Sequence, residues 1–91
     1  MKVYNITESI VCEEVDHFMS GEEYKGCRCA RCRADIMALA LKQLPAKYVV
    51  TEKGEIISKL ESSMPQKQID ILAAVVTAGK IVSSSPRHKN I

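Results

Sequence analysis

Apolar side chains recur at helical spacing over most of the chain, which predicts an all-α protein. The first predicted helix spans residues 5–20, with Asn5 or Thr7 as its N-cap and Glu8 completing a capping box with Asn5. His17 falls on a mixed face and is expected at the surface. The apolar stripe that should face the core contains Ile6, Ile10, Val11, Val15, Phe18 and Met19.

The second predicted helix, about residues 33–44, is apolar around nearly its whole circumference. Among residues 34–41, Asp35 is the only polar residue, and Lys42 follows on the same face. A helix of this kind must be buried on nearly all sides, and a chain of 91 residues offers little to cover it. We therefore expect it at the centre of the protomer and near the interface of a homodimer. Asp35 either complements the helix dipole or accepts a hydrogen bond from a bound group.

The segment after Pro45 is predicted to be irregular before the chain becomes helical again. Pro45 ends the second helix. Residues 47–51 are rich in β-formers and short, so we expect an extended segment outside any sheet. Residues 52–54 are predicted to form a turn.

Two further helices complete the predicted fold, which is a compact four-helix domain covering residues 1–91. A short helix over 55–62 should turn Ile56, Ile57 and Leu60 inward. The last helix, over 65–82, should follow a cap at Ser62 or Ser63 and start at Pro65. Gly79 is expected to allow close approach of a neighbouring element. The residues that this helix is predicted to bury are Ile69, Leu72, Ala73, Val75 and Val76.

Composition agrees with a globular chain, since 46% of the residues are apolar and 26% are charged. Residues 1–5 lack the apolar run of a signal peptide, and no stretch approaches the roughly 18 apolar residues of a membrane span. We therefore expect a cytoplasmic protein without membrane insertion. Residues 1–23 carry one base against six acids, whereas residues 24–91 carry twelve bases against five acids. That basic part can meet phosphate or form an ordinary solvated surface.

The densest chemistry lies in Cys27-Arg28-Cys29-Ala30-Arg31-Cys32. Three thiolates this close suit a tetrahedral Zn²⁺ site, which needs four nitrogen or sulfur ligands. Lys25, Arg28, Arg31 and Arg33 are expected to offset the thiolate charge and lower the thiol pKa values. The fourth ligand stays open among Cys12, His17, His88 and water. Cys12 matches best chemically but lies in mid-helix, where it can equally be a small buried apolar residue.

Two functional classes fit the residues poorly. A nucleic-acid-binding protein would need a finger motif or a stacking platform, but no such finger is present and only 4% of the residues are aromatic. An enzyme is not expected either. A redox Cys-x-x-Cys would need a βαβ pattern around it, and a catalytic zinc would need a general base nearby.

Residues 27–49 resemble the late-competence ComFB family. The shared pattern is a cysteine loop, Asp at the helix start, an Ala- and Leu-rich helix, Leu-Pro and then Tyr-Val. The Asn5-Ile6-Thr7-Glu8 opening and the Ser-Pro end of the last helix extend the resemblance over almost the whole chain. The chain departs from the family at Lys42, where Asn is frequent, and at Ala46, where a second Pro is frequent.

The resemblance implies a small homodimer with zinc in the cysteine loop, and a regulatory rather than a catalytic function. Some relatives act as receptors for the second messenger cyclic di-GMP, so we expect a receptor or adaptor that signals to a protein effector. The alternative is a zinc-containing accessory protein of late competence that binds nucleic acid and does not sense a nucleotide. Some relatives carry a cysteine near the position of His88 and an apolar residue at that of Cys12, which favours His88 as the fourth zinc ligand.

Recognition of cyclic di-GMP calls for cations on the phosphates, a carboxylate on the guanine edge and flat or apolar surfaces for stacking. The residues of this chain that the resemblance offers for these roles are Arg33, Asp35, Lys42, Tyr48 and Asn5. Arg33 can instead be a solvated base beside an anionic zinc site, and Tyr48 can pack against the helix that precedes it.

Overall fold

The computed structural model describes residues 2–85, which form four helices and two very short strands. None of the helices within these residues is long and apolar enough to span a bilayer. The mostly helical, four-helix architecture was predicted correctly. In chain order the elements are β1 (Tyr4–Asn5), α1 (Ile6–Ser20), α2 (Ala30–Lys42), β2 (Tyr48–Val49), α3 (Glu52–Ser62) and α4 (Pro65–Ser84).

The core lies where α1, α2 and α4 meet. The apolar spacing of α1 determines its inner face, and Asn5 caps the helix by accepting a hydrogen bond from the Thr7 backbone N–H at 3.2 Å. Phe18 and Ile10 flank that face and are half-buried, whereas His17 is exposed, as predicted. The buried core side chains are Val11, Val15 and Met19 from α1, Cys32, Ile36 and Ala40 from α2, and Ala74, Val75, Ala78 and Val82 from α4, with Tyr24 between them.

Gly79 lets α1 and α4 approach closely. A Cβ placed on Gly79 would lie only 2.5 Å from Cε2 of Phe18. The ring of Phe18 therefore occupies the space that any other residue would need at this position, and the prediction of a close approach is confirmed.

The extended segment after α2 was wrongly predicted to lie outside any sheet. β2 pairs with β1 in an antiparallel ladder whose register places Tyr4 opposite Val49 and Asn5 opposite Tyr48. The Asn5 side-chain oxygen also accepts from the backbone N–H of Lys47 at 2.8 Å. Two-residue strands show no alternation of polar and apolar positions, and the partner lies more than 40 residues away, so local sequence carries no signal for this pairing.

The prediction for α3 was wrong in its start and in its orientation. The helix begins at Glu52 because the Thr51 side chain accepts from the Gly54 N–H at 3.0 Å, so that the predicted turn is the first helical turn. Ile56, Ile57 and Leu60 are 56%, 47% and 64% exposed rather than turned inward. Within the protomer α3 buries only the small residue Ser58.

α4 carries apolar residues on two faces, and the predicted inner face was largely the outer one. Val75 is buried as expected and Val76 is half-buried, but Ile69, Leu72 and Ala73 are exposed. The helix packs instead through Ile71, Ala74, Val75, Ala78, Gly79 and Val82. The start at Pro65 was predicted correctly, but the N-cap is Met64 and not Ser62 or Ser63.

α2 lies at the centre of the protomer, as predicted, but it is not buried on all sides. It runs from Ala30 to Lys42 and buries Cys32, Ile36 and Ala40 between its two helical neighbours. Ala34 and Ala38 are exposed on the opposite side. The exposed positions of α2 are Ala30, Arg31, Ala34, Ala38 and Lys42. These small or charged residues can stay in water at little cost to one protomer.

Candidate metal centre and adjoining groove

The first turn of α2 starts inside the cysteine motif, three residues earlier than the sequence suggested. Cys29 is the N-cap of the helix, and its Sγ accepts a hydrogen bond from the Cys32 backbone N–H at 3.4 Å. A thiol in this position replaces the Ser or Asp that usually fills an N-cap. Two of the three clustered cysteines are therefore positioned by the helix start itself.

The sulfur atoms of Cys27, Cys29 and Cys32 lie within 4.8 Å of one another. Cys32 is fully buried, while Cys27 and Cys29 are half-buried. In a tetrahedral zinc–thiolate centre with Zn–S bonds of about 2.3 Å, the sulfurs are about 3.8 Å apart. Small side-chain adjustments thus bring the three sulfurs to a spacing that can hold a metal ion.

The thiols differ in their readiness to ionise. The Cys32 backbone N–H, helped by the Cys27 side chain, lowers the pKa of Cys29 to about 7. Burial, followed by the hydrogen bonds of the Cys29 and Cys27 thiols, raises the pKa of Cys32 to about 12. A buried thiolate beside two other sulfurs requires a compensating positive charge. A bound metal ion supplies that charge directly, so the donor set fits a metal site.

The loop before α2 is held by Arg28 and Tyr24. The Arg28 Nε donates to the Met19 carbonyl at 2.7 Å, and its Nη2 donates to the carbonyls of Gly21 and Tyr24 at 3.0 and 2.6 Å. The guanidinium also lies 5.2 Å from the centre of the Tyr24 ring. Tyr24 is buried, and its hydroxyl donates to the Cys27 carbonyl at 2.6 Å. These contacts fasten the cysteine loop to the C-terminal end of α1.

The other two arginines of the motif also have partners away from the sulfur cluster. Arg33 forms a two-pronged ion pair with Asp16 at 2.6 and 3.1 Å, and its hydrogen bonds hold the pKa of Asp16 below its usual range. Arg31 reaches Asp35 at 3.3 Å across one turn of α2. The side chains of Arg28, Arg31 and Arg33 donate to carbonyls, to carboxylates and, for Arg33, to the Cys12 sulfur, and none of these bonds reaches the three clustered sulfurs. The expectation that their positive charge offsets the thiolates stays a prediction.

Two of the candidates for a fourth ligand, Cys12 and His17, lie within the described residues. The Cys12 Sγ accepts from Arg33 Nη2 at 3.0 Å and does not belong to the group of three sulfurs. His17 is exposed on α1. His88 lies outside the described residues. The last described residue, Ser85, comes two positions after Ser83, whose side chain lies against Gly26, so that a Cβ on Gly26 would be 2.5 Å from it.

A groove between α2 and the C-terminal end of α4 contains two of the five residues proposed for nucleotide contacts. It encloses about 280 Å³ and is lined by Asp35, Lys42, Ala38, Leu39, Ile81, Val82 and Ser85. Asp35 and Lys42 are seven residues apart, which places them two helical turns from each other on one side of α2. The groove thus combines one carboxylate, one ammonium group and an apolar wall.

The remaining three residues lie elsewhere on the protomer. Arg33 faces α1 through its ion pair with Asp16. Asn5 and Tyr48 face each other in the β1–β2 ladder, where the Asn5 oxygen is engaged by two backbone N–H groups and Tyr48 is 68% exposed. The structure therefore brings Asp35 and Lys42 together but does not bring Arg33, Asn5 or Tyr48 to them within one chain.

Sequence reasoning missed the residues that support the loop. Arg28 was assigned to the thiolates, and neither Tyr24 nor Asp16 was singled out. Each acts through a contact set by packing, with no characteristic spacing in the sequence. Gly26 was the one sequence signal for this close packing around the loop, because glycine is favoured where a neighbouring group approaches the backbone closely.

Comparisons with known proteins agree on one family. The family model described as "Late competence development protein ComFB" matches residues 4–86. Among solved structures, the chain is similar to that described as "Structural characterization of the late competence protein ComFB from Bacillus subtilis". The two share 28% sequence identity with a TM-score of 0.77, over 93% of this chain and 94% of the other. No match was found among curated proteins.

Proposed function

The chain belongs to the ComFB family, and from this we propose that it is a small regulatory binding protein, a zinc-stabilised homodimer that acts as a receptor for cyclic di-GMP. The observation that carries the nucleotide part is the groove between α2 and α4. The groove contains a carboxylate, an ammonium group and apolar side chains, the groups that recognition of this ligand requires. The signal would pass to a protein effector.

Asp35 and Lys42 offer complementary groups to a guanine nucleotide. A carboxylate can accept two hydrogen bonds from the Watson–Crick edge of guanine, and an ammonium group binds phosphate as a point charge. The Asp35 side chain is only 20% exposed, so that its interactions are less screened by water than those of a surface carboxylate. Leu39 and Ile81 supply an apolar wall against which a base can lie.

The size of the groove favours a site that two protomers share. Its volume of about 280 Å³ is at the lower edge of the roughly 300–1,000 Å³ typical of ligand sites. Cyclic di-GMP has two guanines and two phosphates related by symmetry. A two-fold homodimer presents every surface twice, so two copies of the groove would match the two halves of this ligand.

Calorimetric titration of the metal-replete protein with cyclic di-GMP tests the proposal. Asp35→Asn and Lys42→Ala should each weaken binding by about 10-fold or more, because a hydrogen bond to a charged group contributes about 1.5–3 kcal/mol. Asp70→Asn and Lys53→Ala are matched controls, since both residues are exposed and neither lines the groove. Equal affinity in all four variants would place the nucleotide elsewhere, and no heat of binding to the parent protein would refute the activity.

We also propose further nucleotide contacts from Arg33, Tyr48 and Asn5. Because they lie outside the groove of their own chain, they would have to reach the nucleotide from the partner protomer. Arg33→Ala and Tyr48→Ala belong in the same titration. Loss of affinity in either variant, with the dimer intact, would support a site completed across the interface, and unchanged affinity would remove that residue from the assignment. Asn5 caps α1, so its variant also needs a melting curve.

Zinc is the metal that we propose for the cysteine cluster, with Cys27, Cys29 and Cys32 as ligands and His88 as the fourth. Two observations support His88 over Cys12. The Cys12 thiol is already engaged by Arg33, and Ser83 touches Gly26 beside the loop. From Ser85 to His88 the chain can span about 10 Å. The zinc would neutralise the thiolates and stabilise the fold.

Zinc content and melting temperature distinguish the two candidates for the fourth ligand. His88→Ala should bind less zinc and melt at a lower temperature, whereas Cys12→Ala should keep its zinc. The reverse result, with full zinc in His88→Ala and loss in Cys12→Ala, would assign the ligand to α1.

The homodimer is proposed to form through α3 and the outer face of α4 rather than through α2. Within the described residues, large apolar side chains that are about half or more exposed include Ile57 and Leu60 on α3 and Ile69 and Leu72 on α4. Exposed apolar groups in such number are typical of an interaction surface. Leu60→Glu should therefore convert a dimer to a folded monomer in light scattering, because Leu60 contributes little to the core. A parent protein that is monomeric at micromolar concentration would refute the dimer.

A further inference from the structure

We propose that Cys29 and Cys32 form a reversible disulfide on exposure to a hydroperoxide, so that the cysteine loop is an oxidative modification site as well as a candidate metal centre. The disulfide itself requires no metal. Only its consequence for zinc rests on the function proposed above.

The helix start places this pair of thiols for bond formation. Cys29 is the N-cap of α2 and Cys32 is the third residue of the helix. Side chains three positions apart on a helix are neighbours, with Cβ atoms about 5–6 Å apart. Disulfides join residues whose Cβ atoms are about 3.5–4.5 Å apart, so closing the bond would draw the first turn of α2 in by about 1 Å. The Cys29 Sγ already points back over the first turn, since it accepts the Cys32 N–H, and the sulfurs lie within 4.8 Å.

Exposure assigns different roles to the two thiols. Cys29 is half-buried and can meet a small peroxide, whereas Cys32 is fully buried behind it. Cys29 is thus the residue that is oxidised first, and Cys32 is the one that resolves it. Cys27 lies before the helix in a loop whose carbonyl is held by the Tyr24 hydroxyl at 2.6 Å. That hydrogen bond restrains the backbone of Cys27, whereas the helix start aligns Cys29 with Cys32.

Hydrogen peroxide would oxidise the pair in two steps. The Cys29 thiolate attacks one peroxide oxygen, the O–O bond breaks, and the released hydroxide takes a proton to become water. The Cys32 thiolate then attacks the Cys29 sulfur. The S–O bond breaks, the S–S bond forms, and the second hydroxide is protonated. In sum, two thiolates, one hydrogen peroxide and two protons give one disulfide and two waters. A dithiol reductant reverses the oxidation.

The consequence is a loop that loses two of its three thiolate donors at once. Cys27 would remain as the only thiolate of the cluster, which is too few for a structural zinc site with four ligands. Oxidation would therefore release zinc from the loop, and reduction would restore its affinity.

Tryptic mapping of the reduced, metal-free protein after treatment with hydrogen peroxide tests the proposal. Trypsin cuts after Lys25, Arg28, Arg31 and Arg33, so each clustered cysteine falls in its own peptide: residues 26–28, 29–31 and 32–33. Unreacted thiols are blocked with a maleimide before digestion. The expected product is a cross-link between peptides 29–31 and 32–33, with Cys12 and Cys27 carrying the maleimide, and it should disappear after treatment with dithiothreitol.

Variants keep the result interpretable. Cys27→Ser and Cys12→Ala should retain the cross-link, while Cys29→Ser should abolish it. A cross-link that involves Cys27, an intermolecular disulfide through Cys12, or irreversible oxidation of Cys29 without any disulfide would overturn the proposal. Zinc content of the reduced protein is measured separately. A cross-link without zinc binding would refute the metal proposal alone, and zinc binding without a cross-link would refute this one alone.

Discussion

Replacing Arg28 by alanine should destabilise the cysteine loop without removing any sulfur. The guanidinium donates hydrogen bonds to three carbonyls, those of Met19, Gly21 and Tyr24, at 2.7, 3.0 and 2.6 Å. These bonds join the C-terminal end of α1 to the segment that leads into the cluster. Alanine keeps the backbone conformation and removes all three bonds.

The magnitude follows from the number and exposure of these bonds. A hydrogen bond from a charged donor contributes about 1.5–3 kcal/mol when it is shielded from water. Arg28 lies at the surface, where hydrogen bonds to water can replace much of the lost contribution. We therefore expect a total loss of about 2 kcal/mol in the free energy of unfolding. For a domain of this size, that corresponds to a fall of about 8–16 °C in Tm. If the same free energy orders the loop for metal binding, the zinc affinity should fall by up to about 30-fold.

Arg31→Ala is the matched control, because it removes the same charge from the same motif. Within residues 2–85, Arg31 forms one ion pair, with Asp35 at 3.3 Å, and its own side chain is 57% exposed. An i,i+4 pair of this kind contributes less than about 0.5 kcal/mol. Melting curves with and without zinc and a competition titration with a zinc-binding dye measure both effects. Equal changes in Arg28→Ala and Arg31→Ala would show that the charge matters and not the hydrogen bonds, which would refute the reasoning.

Three further perturbations test the packing and the electrostatics. Ile36→Ala, at a fully buried position, should cost about 2–5 kcal/mol in urea unfolding, and a loss below 1 kcal/mol would contradict its central place. Gly79→Ala should cost about 1–3 kcal/mol because its Cβ would meet the Phe18 ring, and Phe18→Leu in the same chain should recover part of that loss. The pKa of Asp16 is lowered in the folded protein by hydrogen bonds from Arg33, so the stability it contributes is present above the unfolded value of about 3.9 and is lost as the pH falls through the lowered pKa. Asp16→Asn should therefore lose less stability than the parent between pH 4 and pH 2, and parallel curves of Tm against pH would contradict this.

The sequence predicted the elements that follow from periodicity and local chemistry. The stripe of α1, the start of α4 at Pro65 and the clustering of three thiols all depend on residues close together in the chain. Their physical causes, which are helical spacing, a fixed proline φ and short ligand spacing, act locally. The family resemblance, which rested on a long run of residues, was confirmed for the same reason.

The features that were missed depend on what lies next to a residue in space. Ile56 and Leu60 were assigned to the core because apolar residues were expected to be covered by their own chain, but α3 faces outward in the protomer. Arg28 was assigned to the sulfurs because they flank it in sequence, whereas its hydrogen bonds join it to the end of α1. β1 precedes α1 and β2 follows α2, so their pairing joins residues that two helices separate along the chain. In each case tertiary packing determines the contact, and local sequence propensity carries no information about it.

The most direct test of the central claim is a ¹⁵N–¹H NMR titration of the zinc-replete protein with cyclic di-GMP. We expect saturable shifts concentrated in the amides around Asp35 and Lys42 and in residues 81–85, which form the groove, with the first turn of α3 unaffected. Lys42→Ala should weaken the response at the same sites. A spectrum that stays unchanged at millimolar nucleotide, or shifts confined to residues remote from the groove, would contradict the account.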